Sequence, residues 1–391
     1  MPLVQAEVIF YRKGLDGPVH VGWGRITGNG INLVAVAGSK IYLFSPLNQS
    51  YNLDAVIDVG TTILSLAVGL RYQGIDKIIL GTEDRVIVYG EGTVDEQISI
   101  VKIWEYEAEP GARFVDLTTA VLSSDTGETV IAASEGKQAL YFYQTLGQAA
   151  ASQQLGLLAI RVLPGPAQKV AVLSRGEAET PAIVAAYKND GTSGLLTLYY
   201  TEAGFAEGPA QVNLPARVSS MTAGHLRPAP GDELVWGGED GIFRIIEVNE
   251  ELRTVLNSDN LGSNITALTA GKLTGEEAET LLAGTPEGYL FGYRAPVENS
   301  SPDWTVLIGN PVNDLAISEE CLVGLGTADG GLQVWRLVPE GFLLHEAKTG
   351  ETLEAIAAIY HTTVSILVET NRITNPDLIF PGQVLLIPQL P

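Results

Sequence analysis

The feature that most limits what this chain can become is internal repetition, because one pattern recurs seven times along most of its 391 residues. The unit is a strand, a Gly-containing loop, an apolar strand ending in Gly or Ala, a tight turn and another strand. It reads ITALTAGKLTGEEAETLLAGTPEGYLFGYRA from Ile265 and VSSMTAGHLRPAPGDELVWGGEDGIFRIIEV from Val218. From Ile63 it is ILSLAVGLRYQGIDKIILGTEDRVIVYG, and from Val312 it is VNDLAISEECLVGLGTADGGLQVWRLV. Weaker copies begin near Val19, Phe114 and Val170, so the starts lie about 44 to 56 residues apart. A strand-rich unit of that length cannot bury both of its faces alone and must stack against its neighbours.

Starts at this spacing match four-stranded blades set around a ring. The predicted fold class is therefore mainly β: a seven-bladed β-propeller over residues 1–338, a linker at 339–341, and a small β-α-α-β domain over 342–391. Glu239-Asp240-Gly241, Pro286-Glu287-Gly288 and Ala328-Asp329-Gly330 supply the positive-φ positions of tight hairpins. The seventh unit shows only three strands, and VQAEVIFYRK at the amino terminus is expected to add its outer one. Closing a ring with strands from both chain ends removes exposed sheet edges. At pattern level the repeat resembles the integrin-type FG-GAP and WD40-like propellers. FG-GAP blades carry a calcium loop between their first two strands. Here those loops read LTGEEAETLL, LRPAPGDELV, LSSDTGETVI and ITGNGINLVA, without the dense oxygen ligands calcium needs. The resemblance therefore argues for the fold and, with these loops, against calcium.

Strand alternation stops near Phe342. Helical spacing then appears in Leu353, Ile356, Ala357 and Tyr360, and again in Val364, Ile366, Leu367 and Thr370. Thr363 is placed to cap the second helix, and Gln383–Pro388 reads as a short strand. The opening His345-Glu346-Ala347-Lys348-Thr349-Gly350-Glu351-Thr352-Leu353 and the closing Asn375-Pro376-Asp377-Leu378-Ile379-Phe380-Pro381-Gly382-Gln383 resemble the two signatures of a LysM domain. That resemblance implies a shallow groove for β-1,4-linked N-acetylglucosamine chains, as in peptidoglycan or chitin. It implies that Gly350, Glu351, Thr352 and Leu353 form one side and Asn375, Pro376, Asp377, Leu378 and Ile379 the other. Leu353, Ile356, Leu367 and Ile387 also read as core positions. One shallow site binds weakly, so several copies close together would be needed for high affinity.

Charge narrows the partners. Acidic residues outnumber basic ones 46 to 23, for a net charge of −23. Such a surface repels phosphate backbones, and no Lys/Arg cluster offsets it, so nucleic acid is not an expected partner. No apolar run reaches membrane-spanning length, and MPLVQAEVIFYRKG lacks the form of a secretory signal. Cys321 is the single cysteine, which excludes an internal disulfide; Cys321-Leu322-Val323-Gly324-Leu325 reads as a packed strand.

No catalytic constellation emerges. His20, His225, His345 and His361 are scattered without metal-ligand spacing, and there is no nucleophile elbow or phosphate loop. His225 falls where the next repeat has Lys272, which reads as a repeat position. Ser123–Thr129 resembles a sialidase Asp box but occurs once and reads as a turn. Trp104, Tyr106, Tyr199, Tyr200, Trp236 and Trp335 read as sheet packing. The expectation is a non-catalytic protein, without cofactor, that binds an N-acetylglucosamine polysaccharide. LysM would attach a propeller platform for protein partners or self-assembly to the cell wall or surface. The alternative is a structural subunit of a large assembly, such as a phage tail, an injection system or an extracellular filament. So short a linker should hold the two domains rigidly, which favours a fixed building block over a roaming anchor.

Overall fold

The computed structural model describes the whole chain except residues 1–3, 29, 48–49, 95–96, 124–126, 146–154, 177–179, 274–277, 340–341, 372, 374, 377–378, 381–382 and 389–391. Seven four-stranded antiparallel sheets follow one another. Their inner strands are His20–Gly24, Ile63–Tyr72, Phe114–Val121, Ala167–Leu173, Val218–Gly224, Ala267–Lys272 and Val312–Ile317, in blades 1 to 7. Each inner strand neighbours the next, and that of blade 7 neighbours that of blade 1, so the ring is closed. In blade 7 the fourth strand is Val4–Arg12, paired antiparallel with Leu332–Pro339 from Val4↔Pro339 to Arg12↔Leu332. The two ends of the propeller chain therefore share one sheet, and the last strand runs through Pro339.

The apolar second strands are explained by their position between neighbours. Asn32–Ala37 is buried at every residue. Leu33, Ala35 and Ala37 pack toward blade 7, and Val34 and Val36 toward blade 2. A strand covered on both faces needs apolar residues in succession rather than in alternation. Each gap between blades holds one such cluster, which is why the core is seven wedges and not one centre.

The Gly that ends several second strands has a steric cause. A Cβ on Gly326 would lie 2.1 Å from the Val19 carbonyl oxygen, and one on Gly81 would lie 2.5 Å from that of Phe114. At this level each blade's main chain comes closest to the next. Side chains hook the blades together there: Ser65 Oγ donates to Phe114 O (2.8 Å), Gln168 Nε2 to Val218 O (3.2 Å), Ser220 Oγ to Ile265 O (2.7 Å) and Asn313 Nδ2 to Val19 O (2.9 Å). Asp116 instead accepts from the Val170 N–H (2.8 Å), and Asp314 from the Val21 N–H (3.0 Å). The same two aspartates pair with Lys169 (3.4 Å) and His20 (3.6 Å). Asp116 beside it holds the Lys169 ammonium above its ordinary range.

The predicted turns at Gly241, Gly288 and Gly330 have φ of 77°, 83° and 85°. Cys321 differs from expectation. It lies at φ 63° in the turn Ser318–Leu322, half-buried, with its N–H donating to Ser318 O (2.9 Å). The strand begins only at Val323, because Ser318 Oγ accepts from the Leu322 N–H (3.0 Å) and holds the loop closed. Of the Ser123–Thr129 stretch, residues 124–126 lie outside the described residues, as do 340–341 of the linker.

The carboxyl-terminal unit pairs Phe342–Glu346 antiparallel with Val384–Pro388. Between them lie helix α1 (Leu353–Ile359) and helix α2 (Val364–Asn371). Thr363 Oγ1 accepts from the Ile366 N–H (3.2 Å), the predicted cap. Leu353, Ile356, Leu367, Leu385 and Ile387 are buried together with Ala347 and Ala357.

Candidate functional site

The first loop of the carboxyl-terminal domain is shaped by one carboxylate. Glu351 Oε2 accepts from the Lys348 N–H (2.8 Å) and lies 2.8 Å from His345 Nε2. The other ring nitrogen of His345 is 3.0 Å from the Tyr360 hydroxyl, so the histidine joins the first strand, the loop and the end of α1. The Lys348 N–H, and then His345, hold the Glu351 carboxyl below its ordinary range. Gly350 turns the chain at φ 85° with open space where a Cβ would be. Thr352 caps α1, its hydroxyl accepting from the Ala355 N–H (3.3 Å). Leu353 is fully buried and supports the loop from beneath. Of these four residues, then, Glu351 commits Oε2 to Lys348 and His345, and Thr352 commits its hydroxyl to the start of α1.

The second loop meets the first at its base. The Ala347 N–H donates to Gln383 O (2.8 Å), and Gln383 also clasps Phe380: its Oε1 accepts from the Phe380 N–H (3.0 Å), and its N–H donates to Phe380 O (2.9 Å). Ile379 packs on the same core cluster as Leu353, which brings the two sets of candidate residues onto one small core. Asn375 and Pro376 are exposed, and Asn375 is engaged by a neighbour. Asp377 and Leu378 lie outside the described residues.

Phe380 stands out. It sits beside Ile379, its main chain is fixed by Gln383, and the residue is 58% exposed. The sequence placed it inside the closing signature without giving it a role. The signal that could have found it is an aromatic standing in the sequence directly before Pro381-Gly382.

Elsewhere, polar side chains are occupied by the fold. The His225 N–H donates to Glu279 Oε2 (2.9 Å), and His225 Nδ1 lies 2.7 Å from Gly231 O. Trp236 and Trp335 are buried between blades, and Trp104 and Tyr106 pack against a third aromatic, Tyr143. Among the described residues, no group of three or more His, Cys, Asp or Glu is arranged to hold a metal, and no helix is long and apolar enough to cross a membrane.

Comparison with known proteins agrees with both halves of this architecture. The family model for the LysM domain matches residues 345–388, so this segment is a LysM domain. A cortical fragment-lytic enzyme from Bacillus subtilis (strain 168) is 47% identical over 45 residues, which is 12% of this chain and 10% of that enzyme. The match thus spans about a tenth of the relative and falls to the LysM part alone. Among solved structures, BBS1N in complex with ARL6DN superposes with a TM-score of 0.61 at 12% identity, covering 86% of this chain and 96% of the other. Chaetomium thermophilum Sqt1, bound to the N-terminus of a ribosomal protein, superposes at 0.56 with 16% identity, covering 85% and 91%. Both are propeller proteins, and the likeness shows the fold. The LysM domain in turn supports binding of N-acetylglucosamine polymers of the peptidoglycan type.

Proposed function

We propose that this chain is a non-catalytic adaptor: its LysM domain holds a peptidoglycan-type glycan, and its propeller presents a rigid platform to protein partners at the cell wall or surface. The observation that carries the reading is the pair of LysM loops joined through Ala347 and Gln383 over a common core. Main-chain amides and carbonyls near Gly350–Thr352 and Asn375–Pro376 would pair with the acetamido groups of alternate sugars. Phe380 would cover a sugar face. Neutral contacts of this kind suit a chain of net charge −23, which could not rely on attraction to anionic wall polymers.

The platform reading draws on the propeller's own use of its polar groups. Asp76, Glu128, Asp232 and Glu279 each accept a main-chain N–H of the preceding blade, and carboxylates so committed serve the ring rather than a reaction. Both propellers named above were solved with protein partners, in keeping with such a role. Titration of the labelled chain with N-acetylglucosamine oligomers, followed by amide NMR, tests the glycan half. Shifts confined to the LysM loops support it. Absent shifts at saturating oligomer, or shifts only in the blades, refute it.

A further inference from the structure

Six of the seven outer strands are short or carry charge or proline, the usual guards of an open sheet edge. Ser50–Asp58 has Asp54 and Asp58; Gln97–Glu107 has Lys102, Glu105 and Glu107; Gly204–Gln211 has Glu207 and Pro209. Leu252–Asn257 has Arg253, Val4–Arg12 has Glu7 and Arg12, and Trp304–Leu307 is only four residues long. The outer strand of blade 3, Leu155–Val162, is eight residues long and holds no acid, lysine or proline. Its one charge, Arg161, is turned away: the guanidinium lies over the Phe205 ring of blade 4, 5.3 Å from the centroid.

A β-bulge sharpens the contrast. The register with the neighbouring strand skips Leu158, between Ala159↔Phe142 and Leu157↔Tyr143. Leu158 and Ala159 both pack toward blade 4. The skipped residue brings Leu157 into phase with Ile160 and Val162, and these three are exposed by 43%, 43% and 74%. Among the described residues, the edge therefore combines an unpaired strand backbone with an apolar row on one face.

We infer that this strand pairs with the same strand of a second copy, antiparallel about a two-fold axis between Leu158 and Ala159. That register sets Leu157 opposite Ile160 twice, Leu155 opposite Val162, and Arg161 opposite Gly156 rather than another arginine. Apolar cross-strand pairs of this kind stabilise a sheet, and a strand that is its own complement fits an isologous dimer. Charge selects the occupant. Two copies of net charge −23 repel over most of their surface and meet at least cost where a long edge carries no acid. A basic foreign partner would instead be drawn to the acidic surface. This dimer is independent of the glycan reading; where both hold, each particle carries two LysM domains and gains avidity.

Sedimentation velocity of the full chain over rising concentration tests it. The expected result is a monomer–dimer transition that Ile160→Lys weakens at least about tenfold. Val56→Lys, at an exposed site on the outer strand of blade 1, should leave the transition unchanged. Hydrogen exchange on the unaltered chain gives a second reading: amides of 155–162 should gain protection with concentration while other outer strands do not. A chain that stays monomeric throughout, a dimer that survives Ile160→Lys, or exchange in 155–162 that ignores concentration each overturns the inference.

Discussion

Asp76 and Arg25 exchange two hydrogen bonds across the boundary between blades 1 and 2: the Arg25 N–H donates to Asp76 Oδ2 (2.8 Å), and the Asp76 N–H donates to Arg25 O (2.9 Å). Asp232 and Ser174 repeat the arrangement between blades 4 and 5, at 2.8 Å in both directions. Where the carboxylate is Glu128 or Glu279, the side-chain half of the clip is made, to the main-chain N–H groups of Arg71 and His225. An acid at the start of a second strand thus acts as a fastener between neighbours.

Asp76 does more than fasten. Its oxygens also accept from Arg71 Nε (2.8 Å) and Nη2 (3.0 Å), and Arg71 reaches on to Glu319 of blade 7 (2.8 Å). The Asp76 side chain is 5% exposed. Asp76→Ala should cost about 2–3 kcal/mol in denaturant unfolding, since it strands charged and main-chain donors at once. Removing the exposed Glu109, which pairs with Lys137 at the surface, should change stability by under about 0.5 kcal/mol.

Gly326→Ala tests the closest approach in the ring. The new Cβ would meet the Val19 carbonyl, a main-chain atom that cannot step aside. A loss of about 2 kcal/mol or more is expected, seen as a lower midpoint in urea. Gly350→Ala in the LysM loop meets open space, and its strain comes from φ alone, for a loss of about 1 kcal/mol.

Acid should loosen the LysM loop. The Glu351 carboxyl is held low in the folded domain, first by the Lys348 N–H and then by His345. A depressed folded value adds stability that is present above the ordinary glutamate range and lost as pH falls through the lowered one. Exchange protection of the Lys348 amide should therefore fall in that acid window. In Glu351→Gln the protection should be weaker at neutral pH and lack the acid step.

Phe380→Ala separates contact from folding. The residue is largely exposed, so thermal stability should barely move, while glycan affinity should fall about three- to tenfold. Isothermal titration with an N-acetylglucosamine oligomer measures the second effect, and a melting curve the first.

Much of this was legible beforehand because repetition and turn chemistry are local. The repeating unit, with its Gly-ended second strand, was read directly, and Glu239-Asp240-Gly241 marked a hairpin found with Gly241 at φ 77°. Helix α1 announced itself through Leu353, Ile356 and Ala357, all buried. The clip acids were not legible. Asp76 reads as any acid in an acidic chain until a main chain 51 residues earlier is folded against it. Cys321 misled because its apolar neighbours look like strand, whereas the Ser318 hydroxyl closes a turn around it. Glu351 shows the same limit in the site: the motif names the residue, but only the fold commits its carboxylate to Lys348 and His345.

Retention on purified peptidoglycan, with the full chain compared to a chain ending at Pro339, bears on the adaptor role without intermediaries. Pro339 is the right end point, because it still pairs with Val4 and leaves the ring closed. The full chain should be retained and the shortened one should pass through. Equal retention of both forms, or of neither at high protein concentration, would contradict glycan binding through the LysM domain.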